Sequence, residues 1–230
     1  LYRGVAFDFA DTLAELSPSR ESLIVDLCRD HAKTVLSEQR VALAYRLLDS
    51  LNPYSSVTIR SATAKRAFYL QYNQKLLTLL GMSHLIGPEQ VYDGFASKTP
   101  HWRLKQGVQS MLARLSQSNL SLALLSNFDT KLYDVLARLG IDHYFQQICV
   151  SQELGVEKPS PKFFEQMTSR LDVQPSECYY FGDSYTLDFL PGTLFGLSAY
   201  LLDEAQLYPH LSSRLSLITE AEIIMLGATG

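Results

Sequence analysis

The side chains in this sequence that could carry chemistry lie in four short polar islands, most of them placed just after an apolar run. Asp8 ends Val5-Ala6-Phe7, with Phe9, Ala10, Asp11 and Thr12 close behind. Ser126 and Asn127 end Leu120-Ser121-Leu122-Ala123-Leu124-Leu125. Lys158 stands in Gly155-Val156-Glu157-Lys158-Pro159-Ser160-Pro161. Asp183 and Asp188 follow Cys178-Tyr179-Tyr180-Phe181-Gly182. A carboxylate at the end of a buried strand can accept a phosphoryl group or ligate a hard cation. A hydroxyl and an ammonium at the same edge could bind the oxygens of that group. Each residue also has a plainer reading: Asp8 as a turn residue or helix N-cap, Ser126 as a turn former, Lys158 as a solvated loop lysine, and Asp188 as a helix-start acid on the macrodipole.

These residues can meet only if the elements carrying them share an edge. Apolar runs at 5–7, 120–125, 148–150, 178–181 and 197–202 read as short strands. Between them lie amphipathic helices: one with Val108, Met111, Leu112 and Leu115 on a stripe, one over Asp129 to Leu139 closed by Gly140, and one over Pro161 to Leu171. Alternating strands and helices imply an α/β fold with a Rossmann-like, doubly wound parallel sheet and right-handed crossovers. In such a sheet, ligands bind at the carboxyl ends of the strands, where all four islands would fall.

Residues 14–100 read differently. Ser17-Pro18-Ser19 reads as a helix start, with Ser17 capping and proline at the first helical position. Three apolar stripes follow at helical spacing: Leu23, Leu27, His31 and Val35; Val41, Tyr45 and Leu48; and Ala67, Leu70, Gln74, Leu77 and Leu80. Asn52-Pro53-Tyr54-Ser55-Ser56, Gly81-Met82-Ser83 and Gly87-Pro88 break them. The expected organisation is a core of residues 1–13 and 101–230, interrupted by an all-helical insert over 14–100.

Composition narrows the classes. With 230 residues, 47% of them hydrophobic and 19% charged, the chain has enough apolar mass for a large core. A formal net charge of −4 with no basic block argues against nucleic acid or an anionic membrane as partner. Leu1-Tyr2-Arg3-Gly4 runs straight into the first strand, so no signal peptide is expected. Cys28, Cys149 and Cys178 are odd in number and set in apolar surroundings, as expected of buried thiols in the cytoplasm.

Taken together, the four islands resemble the motifs of the haloacid dehalogenase superfamily: a strand followed by D-x-D-x-T, a strand ending in Ser or Thr, a Lys, and a G-D-x-x-x-x-D acidic pair. Here these correspond to Asp8 to Thr12, Ser126, Lys158, and Gly182 to Asp188, and the phrases Leu125-Ser126-Asn127-Phe128-Asp129 and Lys158-Pro159-Ser160-Pro161-Lys162-Phe163-Phe164 are similar to the family's wording. The insert resembles the family's first type of cap, which closes over the site and sets the substrate. The resemblance implies a Mg²⁺-dependent phosphatase for a small phosphorylated metabolite, active as a monomer or homodimer. Asp8 would be the nucleophile and Thr12 would steady its loop. Asp8, the backbone carbonyl of Ala10 and Asp183 would ligate Mg²⁺, and Asp188 would hold a metal-bound water or orient the lysine. Ser126 and Lys158 would bind phosphoryl oxygens, and Asn127 would shape the substrate pocket.

The chain departs from the pattern at residue 10. The family's hydrolases usually carry a second Asp there, which protonates the leaving group and later activates water. Here the residue is Ala10, and Asp11, one position along a tight turn, points elsewhere. Loss of general acid–base help costs on the order of 10²–10⁴ in rate. Three readings compete. The first is a slow phosphatase, or one acting on good leaving groups or borrowing an acid such as Glu15 or His31. The second is an idle relative that binds phosphate and Mg²⁺ or regulates. The third is a relative of phosphonoacetaldehyde hydrolases, which have Ala at this position but need a Schiff-base lysine that Lys33, Lys65 and Lys75 do not evidently supply. Tyr45, Tyr54, Arg60, Tyr69 and Tyr72 could line a pocket in the insert, but packing or a solvated face accounts equally for such residues at helical spacing.

Overall fold

The computed structural model describes residues 1–51 and 54–227. Asn52 and Pro53, read above as part of a break between helices, lie outside the described residues. The chain divides into two compact units, Leu1–Glu15 with Arg103–Gly230, and Leu16–Trp102.

The chain opens with β1 (Gly4–Phe7) and leaves the sheet through β2 (Ala14–Ser17). Four helices follow: α1 (Arg20–Ala32), α2 (Glu38–Leu51), α3 (Ala62–Leu80) and α4 (Pro88–Lys98). β3 (His101–Leu104) then returns and pairs with β2 in a two-stranded ribbon. Beyond it come α5 (Val108–Leu115), β4 (Ser121–Ser126), α6 (Leu132–Leu139), β5 (Gln147–Val150) and the single turn α7 (Ser151–Leu154). The chain continues through α8 (Pro161–Leu171), β6 (Cys178–Gly182), α9 (Leu190–Phe195), β7 (Ser198–Leu202), β8 (Arg214–Leu215) and α10 (Glu220–Gly227).

The main sheet has six strands in the order β5-β4-β1-β6-β7-β8, and every neighbouring pair is parallel. The chain thus begins mid-sheet, winds out to β5 and returns past β1 to fill the other side, which is the doubly wound α/β arrangement expected. All four residues of β1 are buried, as a central parallel strand with neighbours on both sides requires. Phe7 lies opposite Leu124 on one side and Phe181 on the other. Asp8, Ser126 and Asp183 therefore reach the same carboxyl edge.

Small side chains on one face of the sheet, Ala6, Ala123, Cys149, Cys178 and Ala199, make room for Phe163, Phe164 and Met167 of α8. On the opposite face Phe7, Phe181 and Tyr200 stack in sequence, with ring centroids 5.4 and 5.3 Å apart. The stripe of Val108, Met111, Leu112 and Leu115 is buried as its spacing predicts.

The helical unit has its own apolar core, including Ile24, Leu27, Cys28, Val41, Tyr45, Leu48, Tyr72, Leu76, Leu77 and Leu80. Its details correct the sequence reading in several places. The N-cap of α1 is Ser19, whose hydroxyl accepts from the Ser22 N–H; Ser17 belongs to β2, a strand within the segment read as helical. The first stripe stops early, because α1 ends at Ala32 with Lys33 in the left-handed region, so His31 and Val35 are exposed while Leu36 is buried. In α3 the buried face is Tyr72, Asn73, Leu76, Leu77 and Leu80, whereas Ala67 and Gln74 are exposed. Burial is confined to the second half of that helix, and a periodicity followed from its first half runs along a neighbouring face.

All three cysteines are buried free thiols. Among the described residues no helix is long and apolar enough to cross a membrane. Phe163 is fully buried under the sheet, so Phe163→Ala is expected to cost about 3–5 kcal/mol, read as a lower denaturant midpoint at unchanged slope.

Candidate active site

The loop after β1 is built to hold Asp8. The Asp8 N–H donates to the Phe181 carbonyl (2.9 Å), extending the ladder one residue past β1. The chain then folds back tightly: Leu13 and Ala14 N–H groups both donate to the Phe9 carbonyl, and Asp11, with φ +58°, donates its N–H to Ala14. This turn returns Thr12, fully buried, to within 3.3 Å of Asp8 Oδ2, to which its hydroxyl donates. Ala10 sits inside the turn and bridges to Ala14.

Lys158 is held by its backbone as well as by its ammonium. Asn127 clamps it from the end of β4: the Asn127 amide donates to the Lys158 carbonyl (2.9 Å) and accepts from the Lys158 N–H (2.8 Å). Gly155 turns the chain with φ +68°, and Pro161 starts α8 just beyond. The buried ammonium donates to Asp8 Oδ1 and to Asp188 Oδ1, both at 2.6 Å, and at 3.3 Å to the Tyr180 hydroxyl.

Asp188 comes from Tyr185–Phe189, a single π-helical turn whose wider winding carries the side chain back toward β6. Ser184 opens this turn, its hydroxyl accepting from the Leu187 N–H. Both oxygens of the buried Asp188 carboxylate accept hydrogen bonds, Oδ2 from the Ser184 N–H at 3.0 Å and Oδ1 from Lys158 and from the Tyr180 hydroxyl at 2.6 Å. Gly182 makes this approach possible. A Cβ there would lie 2.4 Å from both Cβ and Cγ of Asp188, a distance no side chain survives.

Oxygens of Asp8, Asp183 and Asp188 lie within 4.8 Å of one another. The Lys158 ammonium engages two of these carboxylates, those of Asp8 and Asp188. Burial pushes the Asp8 carboxyl up to about 6; Lys158 pulls it down and Asp188 pushes it up. Lys158 is also pushed up: burial alone would lower it, but Asp188 and Asp8 hold it protonated well above its ordinary range. Three converging carboxylates make the all-oxygen donor set that a hard divalent cation prefers.

The structure thus brings Asp8, Thr12, Lys158, Asp183 and Asp188 into one cluster, with Ser126 buried at the same strand edge. Asn127, read as lining a substrate pocket, faces the Lys158 backbone with both amide atoms engaged. Two contributors escaped the sequence reading. Tyr180 stands in an apolar strand and reads as core, although it shares strand parity with Gly182 and a buried tyrosine hydroxyl needs a partner. Ser151, fully buried, anchors the loop after β4 by accepting from the Phe128 N–H (3.0 Å).

A Rossmann-like sheet with a carboxylate–lysine–carboxylate cluster at its carboxyl edge gathers ionisable side chains where such sheets bind their ligands. The chain belongs to the haloacid dehalogenase-like hydrolases, whose family model matches residues 2–196. The haloacid dehalogenase-like hydrolase domain-containing protein 3 of Mus musculus is 32% identical over 114 residues, 50% of this chain and 45% of that protein, so the chain spans about half the length of this curated relative. A glyceraldehyde 3-phosphate phosphatase of Methanopyrus kandleri is 44% identical over 66 residues, 29% of this chain and 28% of that one. The solved structure of the HAD-hydrolase YfnB from Bacillus subtilis, bound to magnesium, shares the fold with a TM-score of 0.68 at 20% identity, covering 98% of this chain and 99% of that one.

Two outcomes follow from this geometry. Mg²⁺ at about 100 times its Kd is expected to stabilise the protein by about 2.7 kcal/mol, a rise of several degrees in Tm that Asp183→Asn abolishes. Gly182→Ala is expected to displace Asp188 and lower Tm even without the cation, as differential scanning calorimetry would register.

Proposed function

We propose that the chain is a Mg²⁺-dependent phosphoric monoester hydrolase acting on a small phosphorylated metabolite through an aspartyl-phosphate on Asp8. The observation that carries this reading is the buried Lys158 ammonium placed 2.6 Å from Asp8 Oδ1, in a cluster that also holds Asp183 and Asp188. The phosphatase among the relatives supports it, as does the pair of acids at 183 and 188, which a metal-free dehalogenase centre has no need of.

In this mechanism an Asp8 oxygen attacks phosphorus and the bond to the leaving oxygen breaks. Water then attacks the aspartyl-phosphate, releasing phosphate and regenerating the carboxylate. Thr12 and Lys158 keep Asp8 oriented, and Ser126 and Lys158 offset charge on the phosphoryl oxygens. Asp183, Asp8 and the Ala10 carbonyl are the groups that would hold Mg²⁺, which supplies the charge that lets a carboxylate approach a phosphate. Asp188 serves chiefly as the counter-anion that anchors Lys158. With Ala10 at the acid–base position, the chain favours substrates whose leaving group needs no proton, or turns over slowly. The helical unit would act as the cap that selects the substrate.

A second reading, a phosphate- and Mg²⁺-holding module without turnover, is favoured by Ala10 and by a Lys158 ammonium already engaged by three partners. Release of phosphate from an aryl phosphate decides between them. The expected result is slow, Mg²⁺-dependent turnover by the wild type, none by Asp8→Asn, and a gain of about 10²-fold or more for Ala10→Asp. Turnover by Ala10→Asp alone, with a silent wild type, establishes the second reading.

A further inference from the structure

Tyr180 has no assigned part in this centre, yet its hydroxyl sits where the centre is held together. The residue is fully buried in β6, with its ring edge-on to Phe164 at 5.4 Å. Its hydroxyl donates to Asp188 Oδ1 at 2.6 Å and accepts from Lys158 Nζ at 3.3 Å. A tyrosine hydroxyl is costly to bury, and here it is matched on both sides by charged groups.

The geometry assigns Tyr180 a positioning role: through Asp188 its hydroxyl fixes the direction in which the Lys158 ammonium faces Asp8. An ammonium has three N–H donors, and each acceptor that it finds further restrains its rotation about Cε–Nζ. Asp8, Asp188 and Tyr180 are those three acceptors. Asp188 Oδ1 in turn receives both Lys158 and Tyr180, while its Oδ2 is tied to the Ser184 N–H. The hydroxyl thus closes a ring of hydrogen bonds, Tyr180 to Asp188, Asp188 to Lys158, and Lys158 back to Tyr180. Removing it leaves the packing of the ring intact but loosens the carboxylate and frees one ammonium donor. The hydrogen bonds of the Tyr180 hydroxyl run to Lys158 and Asp188 and not to Asp8, so it acts through Lys158.

Tyr180→Phe tests this, with Tyr200→Phe as a control on the neighbouring strand. The first readout is the Lys158 ammonium resonance in ¹⁵N-lysine-labelled protein with EDTA, assigned by its loss in Lys158→Gln. A resolved, slowly exchanging ammonium signal is expected in wild type and in Tyr200→Phe, and its loss through fast exchange in Tyr180→Phe. Asp188→Ala removes the acceptor shared by Tyr180 and Lys158 and must lose the signal too, which tests the ring should Tyr180→Phe fail to fold. The second readout rests on the phosphatase reading: kcat for an aryl phosphate falls about tenfold or more in Tyr180→Phe while KM stays within about twofold. A silent wild type would defeat that reading and leave the resonance to judge Tyr180. No protected signal in wild type, or one that survives Tyr180→Phe or Asp188→Ala, overturns the inference.

Discussion

A single buried cation organises the core unit. Moving an ammonium out of water costs roughly several kcal/mol even after relaxation, and the cost is offset only by close, well-directed anions. Lys158 has two carboxylates at 2.6 Å and a hydroxyl at 3.3 Å. Much of the local architecture serves that arrangement. Asn127 grips the lysine backbone, Gly182 removes the side chain that would collide with Asp188, and the π-helical turn of Tyr185–Phe189 swings Asp188 inward. Removing any one partner would leave the others buried and uncompensated.

The sheet brings together partners that the chain keeps far apart. Asp8 and Lys158 are separated by 150 positions, and only a doubly wound sheet that begins mid-sheet puts β1 between β4 and β6, so that the residues following those three strands share an edge. The strands are short, buried and apolar, and the polar residues come where each strand ends and the backbone must turn. Catalytic potential and the end of regular structure thus coincide for a physical reason. The edge is where backbone hydrogen bonding in the ladder stops and side chains can converge.

Charge then limits what the centre can do. Burial raises the Asp8 carboxyl toward neutral pH against the pull of Lys158, while Asp188 and Asp8 hold Lys158 protonated. Three carboxylates so close together are a donor set for a hard divalent cation. Ala10 sets the other limit, since a methyl group can neither donate nor accept a proton, and the compact turn around it aims Asp11 along a left-handed backbone.

The sequence by itself determined strands β1 and β4 to β7 and helices α5, α6 and α8, though not β3, β8, α9 or α10, together with the four polar islands and the identity of residue 10, because apolar runs, glycine and proline punctuation and residue chemistry are local properties. It placed the helical stripes less well. His31, Val35, Ala67 and Gln74 continue a periodic pattern past the point where a helix ends or packing begins, and periodicity alone does not mark that point. Only the tertiary structure decided that Asn127 holds the backbone of Lys158, that Ser19 rather than Ser17 caps α1, and that Tyr180 joins the polar cluster. A tyrosine in an apolar strand has the same sequence surroundings whether its hydroxyl meets water, a carbonyl or a carboxylate. The partner is chosen by strand order and register, which no stretch of neighbouring residues encodes.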